Sequence, residues 1–402
     1  MMAIVAHCSD PTAIFHNPAC LTSQDGSEVY FASTNYFFEG RFKIRDKEMN
    51  ESPWIEPDKY FGASPFIGVV SDLGQERWRF GAALYFPNFY AAYMPEKSFA
   101  RYNIVQGYFA TAYVTPTAAY QISPTLSAGV GISYIYVELY AKRRMHGAVL
   151  LADLLLEDWP DADEDWELEI ETRDQIFAWD LGLQWKPLPA LQVGLCYTSE
   201  ADINMEGDAQ LSDVDEQVNP VFDLVQVMIG LLGRDNFDVS VNMLVPQSLR
   251  LGFLYRVGPR LDLGLDLVWW DYSKYKEQRI TTDPDISAFI NLTSVKNYTD
   301  SYHVDLGGRW HHSAATSLMA GFQYDWSPIP DVAYSVENPN SDLFGYSLGI
   351  QHEFNPTWTA TLSWVNNFYE RKDIKHVDAV PNVRPIGEGI VYELSFDVAY
   401  TF

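Results

Sequence analysis

Alternation governs this chain at two scales. Over short stretches, apolar residues take turns with small or polar ones, so a β-strand built from them has one greasy face and one wet face. Leu126, Ala128, Val130, Ile132, Tyr134 and Tyr136 oppose Ser127, Gly129, Gly131 and Ser133, and Phe177, Trp179, Leu181, Leu183 and Trp185 oppose Asp180, Gly182 and Gln184. Over the whole length, the links between such stretches alternate in size. The periodicity predicts strands over 28–42, 64–73, 77–87, 108–122, 126–142, 174–187, 190–206, 238–256, 260–281, 295–311, 316–325, 343–354, 357–371 and 387–402. Links after even-numbered strands are tight, as at Gly74, Ser123 to Thr125, Leu188, Gly258 and Pro259, Ser313, and Asn355 and Pro356. Those after odd-numbered strands are long, among them 43–63, 88–107, 143–173, 207–237, 326–342 and 372–386. Strict alternation of short and long links separates the two ends of an up-and-down barrel.

The expected fold class is therefore all-β: an antiparallel transmembrane barrel of about 14 strands, an even number as bacterial single-chain barrels require. A soluble β-sandwich would hide its apolar face and has no reason to alternate link lengths. Here the apolar faces carry aromatic residues at their ends, as lipid-facing surfaces do, and the polar faces suit a water-filled or plugged lumen. The chain's last stretch, VYELSFDVAYTF, alternates to its final residue, Phe402. Chain ends fray unless they are tied down, so this ladder reads as a closing strand paired to the first and covered by lipid. It also resembles the terminal signal by which the barrel assembly machinery recognises its clients.

Composition narrows the alternatives. Hydrophobic residues make up 47% and aromatics 15%, yet no apolar run approaches the roughly 18 to 20 residues of a membrane-spanning helix. A formal charge of -27 would repel a nucleic-acid backbone. Cys8, Cys20 and Cys196 have neither metal-ligand spacing nor an even count. The opening MMAIVAHCSD lacks the basic and apolar regions of a secretory signal peptide, and the expectation is that the start is clipped.

Before the first strand stands HNPACLT, with Asn17, Pro18 and Ala19 at its centre. Here, in GLCYTSEADINMEGDAQL at 194–211, in MLVPQSLRLGFLYRV at 243–257, and in DWSPIPDVAYSVENPNSDLFGYSLG at 325–349, the chain resembles the FadL/TodX family of outer-membrane transporters for long-chain fatty acids and hydrocarbons. The resemblance implies an N-terminal hatch over 1–27, carrying the Asn17-Pro18-Ala19 motif inside the lumen, and a barrel over 28–402. It implies residence in the Gram-negative outer membrane, among lipid and lipopolysaccharide. Two features depart from the family: only sixteen residues precede Asn17, and Asp342-Leu343-Phe344 stands where an Arg is usual.

Candidate sites follow from what a hydrophobic cargo needs. Leaving lipid for water costs about 0.8 kcal/mol per methylene, so a carrier needs greasy capture sites, a dry passage and a way back into lipid. In the link 207–237, Phe222, Leu224, Val225, Met228, Ile229 and Leu232 form an amphipathic pattern, with Leu151, Leu154 and Leu155 of 143–173 as partners. Large apolar patches on an exposed loop mark binding, and this set is the expected capture groove. Pro87 breaks the third strand, because proline cannot donate to a sheet ladder. The family resemblance assigns an inward kink and a sideways opening to Pro87, Asn88 and Phe89. Lys142, Arg143 and Arg144 are the candidate partners for a carboxylate head group, with lipopolysaccharide phosphates as the competing ligand.

Catalysis and metal binding find little support. The acidic residues Asp161, Asp163, Glu164, Asp165, Glu167, Glu169 and Glu171 open like a calcium loop, but Trp166 stands where glycine is needed and Thr172 where glutamate is. They read as a solvated acidic loop with no metal. His303, His311, His312, His352 and His376 are scattered, with neither a nucleophile elbow nor paired zinc-ligand spacing. No cofactor is expected. The reading is passive transport of hydrophobic compounds, foremost long-chain fatty acids, with a diffusion porin as the rival and a barrel lipase using a Ser and a His on neighbouring strands as the remote enzyme alternative.

Overall fold

The structure, a computed structural model, describes residues 4–6, 10–45, 49–59, 61–146, 165–213, 236–285, 287, 293–375 and 384–402. After a short N-terminal segment come β1 (Ser27–Arg45), β2 (Phe61–Ser71), β3 (Trp78–Tyr85, resuming at Phe89–Tyr93), β4 (Gln106–Ser123), β5 (Leu126–His146) and β6 (Asp165–Leu188). Then follow β7 (Leu191–Thr198 and Ala201–Asp213), β8 (Asn236–Val245 and Ser248–Val257), β9 (Leu261–Trp270 and Glu277–Asp283) and β10 (Thr293–Val295 and Ser301–His311). The last four are β11 (Thr316–Asp325), β12 (Leu343–Asn355), β13 (Trp358–Asp373) and β14 (Arg384–Thr401). Each pairs antiparallel with the next, and β14 returns to β1 along a register from Glu28↔Thr401 to Arg45↔Arg384. The fourteen-stranded barrel is closed.

The final residue takes part in closure. Phe402 N–H donates to the Ser27 carbonyl at 2.9 Å, and Ser27 N–H to the Phe402 carbonyl at 3.3 Å. In hydrocarbon an unpaired backbone amide costs several kcal/mol, so a spanning sheet must have no free edge. That requirement ties this chain end down.

In the middle of the barrel the faces divide as the alternation predicts. Ile132, Phe177, Leu181, Leu306, Phe322 and Leu348 are exposed on the outside, as residues covered by lipid must be. Their neighbours Ser133, Asp180, Asp305 and Ser347 turn inward and are buried.

Towards the long-loop end the polarity reverses over β5 to β8. There Ile135, Val137, Trp166, Leu168, Ile170, Ile203, Met205, Leu211, Phe237, Val239 and Val241 form one buried inward-facing cluster, while Glu171, Glu206, Asp208 and Asp238 are exposed outside. This is the arrangement of a water-soluble barrel set on top of a membrane barrel. It explains where the sequence reading fell short: β6 begins at Asp165, inside the stretch expected as an acidic loop, and β7 runs on to Asp213, inside the 207–237 link. WELEIETR alternates well, but with its polar residues outward, so the pattern of a lipid-facing strand is absent.

One row of this outer face sets carboxylates side by side: Glu171 opposite Asp208, Asp208 opposite Asp238, and Asp238 opposite Asp283. Directly opposed like charges destabilise a sheet by about 0.2–1 kcal/mol per pair. Asp208→Asn removes two such repulsions, and the temperature at which the barrel loses its heat-modifiable gel mobility should rise. The gain should shrink in 1 M salt, where screening operates within about 3 Å.

Candidate functional site

The N-terminal segment packs against the inner wall. A short helix over Ala13–His16 and a 3-10 turn over Pro18–Ser23 meet at Asn17, which is extended and fully buried. All of the Asn17 amide is used: Oδ1 accepts the Ala19 N–H at 3.1 Å, and Nδ2 donates to the carbonyls of Val5 at 3.0 Å and Leu183 at 3.1 Å. Pro18 starts the turn, where its missing N–H has no partner to lose. The three motif residues thus form one bent unit that touches β6.

Glycines make room for it. Gly129 of β5 lies opposite Gly182 of β6; a Cβ at Gly129 would come within 2.5 Å of the Pro18 carbonyl carbon, and one at Gly182 within 2.2 Å of Asn17 Oδ1. Gly194 and Gly252, opposite each other on β7 and β8, admit Val5 in the same way. Polar ties complete the attachment. Ile4 and Val5 N–H donate to Asp266 of β9 at 2.6 and 2.9 Å, Arg250 of β8 donates to the Phe15 carbonyl at 2.7 Å while its guanidinium stacks on the Phe15 ring, and Arg79 of β3 donates to the Gln24 carbonyl at 2.6 Å.

The wall beside this segment is interrupted. The β2–β3 ladder runs only from Ser71↔Phe80 to Phe66↔Tyr85, whereas β2 stays paired with β1 up to Phe61. Above Tyr85 the chain resumes as Phe89–Tyr93, paired with β4. Phe86, Pro87 and Asn88 lie between. Ser64 Oγ donates to the Phe86 carbonyl at 2.6 Å, and Asn88 is turned towards β4, its Nδ2 donating to Thr111 Oγ1 at 3.2 Å and its carbonyl accepting the Thr111 N–H at 3.0 Å. Pro87 therefore sits at a real break in pairing, together with Asn88 and Phe89.

Of the three candidate cations, one faces the lumen. Arg143 shares the inward face of β5 with Ile135 and Val137 and lies opposite Leu168. Lys142 and Arg144 stand on the opposite face, each 2.7 Å from the Glu167 carboxylate. Arg143 Nε is buried without a hydrogen-bond partner among the described residues. A second buried cation, Lys296, follows the first segment of β10 and is only 6% exposed. The Glu337 carboxylate acts on both. Sequence reasoning passed over Lys296, a single lysine before a turn with no pattern around it. The expected capture groove, Phe222, Leu224, Val225, Met228, Ile229, Leu232, Leu151, Leu154 and Leu155, lies outside the described residues.

The described loop residues pack on one another and on the end of β1. Phe42, Ile44, Ile55, Met94, Ala100 and Val336 form one buried cluster and Tyr275, Tyr298, Ile329, Tyr334 and Ile374 another. Arg101 and Asp165, both nearly fully buried, pair at 2.6 Å, and Tyr102 Oη donates to the same carboxylate at 2.8 Å. Burial and then the Asp165 carboxylate push the Tyr102 hydroxyl above its ordinary range, so it keeps its proton and remains a donor.

One relay has the residue types of a hydrolase. Asp262 lies 3.0 Å from His311 Nε2, and Ser317 Oγ 3.2 Å from His311 Nδ1. Acyl transfer also needs free N–H donors for the oxyanion. Ser317 is paired in the ladder with His311 and Gln351, and the Ala315 and Thr316 N–H groups donate to Ser313 Oγ. Arg256 also holds Asp262, at 3.2 Å. The relay braces the short-turn rim.

Comparison with known proteins gives the same architecture. Residues 2–402 match the family described as "Outer membrane protein transport protein (OMPP1/FadL/TodX)". The long-chain fatty acid transport protein of Escherichia coli is 21% identical over 249 residues, 60% of this chain and 54% of that one, and outer membrane protein P1 of Haemophilus influenzae is 20% identical over 67% of this chain and 58% of its own. The chain thus spans just over half the length of these relatives. In fold, a Pseudomonas aeruginosa FadL homologue superposes with a TM-score of 0.87 at 16% identity, over 100% of this chain and 96% of that one. The Ralstonia pickettii toluene transporter TbuX gives 0.67 at 16% identity, over 99% and 95%. A match along the whole chain, on a closed fourteen-stranded barrel, places the protein in the OMPP1/FadL/TodX family of outer-membrane transport proteins.

Proposed function

We propose that the protein carries amphipathic hydrophobic compounds, foremost long-chain fatty acids, across the outer membrane and releases them sideways into lipid. The observation that carries this reading is an apolar lumen that holds an inward cation, Arg143, with a second buried cation, Lys296, in the same structure. The Glu337 charge acts on both, Arg143 Nε has no hydrogen-bond partner among the described residues, and a buried cation without full pairing is costly. A carboxylate arriving on an apolar tail would supply the missing charge, while the tail lies on Ile135, Val137, Leu168 and Ile170. That combination favours a fatty acid over an uncharged hydrocarbon. The long loops, with the capture residues around Phe222 and Leu151, are the proposed entry; residues 1–27 are the proposed hatch; and the break at Pro87 is the proposed exit. No step consumes energy, so net flux follows the substrate gradient.

Three measurements test this. Labelled oleate should enter cells that lack their own transporter once they carry the assembled barrel, and a large steady ion current through the purified protein would point to the porin instead. Replacing Arg143 and Lys296 together by methionine should weaken oleate binding about 100-fold or more, from the loss of two charge-assisted bonds of about 1.5–3 kcal/mol each. Binding of an alkane of equal length should stay within about twofold, and an equal loss for both ligands would count against a head-group site. Pro87→Val gives β3 a donor and a good strand former; it should close the gap and stop uptake while oleate still binds inside.

A further inference from the structure

Besides the Ser64 bond to the Phe86 carbonyl, an aromatic side chain crosses the break between β2 and β3. Phe89 belongs to the segment paired with β4, yet its ring reaches back to β2, where a Cβ built on Gly62 would stand 3.5 Å from Phe89 Cδ1 and 3.6 Å from Cε1. Those are ordinary van der Waals distances. Gly62, which has no side chain, therefore faces the ring with room for one methyl group between them and does not crowd it.

The surroundings fix the hinge and leave the ring free. Asn88 is tied to Thr111 through both side chain and backbone. The Phe89 ring has no polar atom to anchor it and is 39% exposed, against 5% for Tyr85 at the last rung of the ladder. An exposed aromatic side chain changes rotamer on the picosecond to nanosecond scale, far faster than strands separate. On the lumen side the next residue, Tyr90, stacks on Phe109 at 6.5 Å; on the lipid side Phe61 and Phe37 pack at 5.5 Å and are both exposed. Aromatic surface runs from one side of the gap to the other, with Phe89 in the middle.

We propose that the Phe89 ring is a valve seated on Gly62, and that its displacement sets the girth of the molecules that leave through the wall. A slender alkyl chain passes when the ring swings off its seat. A bulky cargo needs more width than this one rotation opens. The inference rests on the sideways exit proposed above.

The test compares uptake of labelled oleate with that of a fatty acid bearing a pyrene group, in cells lacking their own transporter. Assembly is checked by heat-modifiable mobility. Phe89→Ala should raise pyrene-acid uptake relative to oleate by about tenfold or more, the discrimination a space-filling group provides in an apolar pocket; Phe89→Leu should move the ratio the same way and serves if the alanine variant fails to assemble. Joining Gly62→Cys and Phe89→Cys with a short methanethiosulfonate crosslinker should block both probes, and reductant should restore them. If Pro87→Val abolishes uptake but Phe89→Ala leaves the probe ratio unchanged, the valve is overturned and the sideways route stands. If Pro87→Val and the crosslinked protein both transport at the wild-type rate, the sideways route falls and the valve with it.

Discussion

Everything in this molecule depends on the closed backbone ladder. Lipid offers no partner to an amide or a carbonyl, so the sheet must meet itself, and it does so down to the bond between Phe402 and Ser27. Against that background a break in pairing is expensive and needs a local reason. At β3 the reason is covalent: Pro87 has no N–H to offer, and Asn88 finds its partners on Thr111 instead. The wall therefore loses its β2–β3 rungs above Phe66↔Tyr85. The β6–β7 seam is also unpaired, between Asp180↔Thr198 and Arg173↔Glu206, and rejoins beyond. The proposed sideways exit lies at this break.

The second organising fact is the reversal of polarity along the strands. Where lipid lies outside, apolar residues point outward and the interior is polar; where water lies outside, the same strands turn their apolar residues in. Leu181 and Leu183 of β6 are exposed, while Leu168 and Ile170 of the same strand are buried. One strand thus serves two solvents, and the change of face marks where the outer membrane must end. It also places the greasy part of the lumen at the long-loop end, above the polar zone in which the N-terminal segment is held.

Much of this was legible in the residues. The period of two and the alternating links gave all fourteen strands, since both follow from strand geometry and from the two unlike ends of a barrel. Pro87 pointed to its break because proline cannot donate to a ladder, although Pro65 and Pro116 lie in strands that stay paired. What stayed hidden depended on partners far away in sequence. Nothing near Gly129 or Gly182 says that Asn17 and Pro18 will lie against them, and nothing near Gly62 says that Phe89 will reach across. Arg143 sat among three adjacent cations, and only the register with Leu168 shows which of them points inward. Glu167 to Glu171 were read as loop because a strand with carboxylates outward does not look like a membrane strand.

For the proposed cargo, two ways out of the lumen differ in cost. Downward, a cargo must displace the N-terminal segment, which breaks the Asn17 bond to Leu183, the Ile4 and Val5 contacts to Asp266 and the Arg250 contact to Phe15, each worth about 0.5–1.5 kcal/mol net and more where a charge is involved. It must then enter water, and a tail of about sixteen methylenes would give up about 13 kcal/mol in doing so. Sideways, the cargo moves from an apolar lumen past aromatic rings into lipid tails, the N-terminal segment keeps its bonds, and the transfer term is close to zero. The second cost in the downward path belongs to the cargo, so loosening the N-terminal segment cannot remove it. For a polar solute the sign reverses: water below becomes the better destination and the greasy side door a barrier. On the proposed route, the wall would select for hydrophobic cargo by where it leads as much as by what it binds.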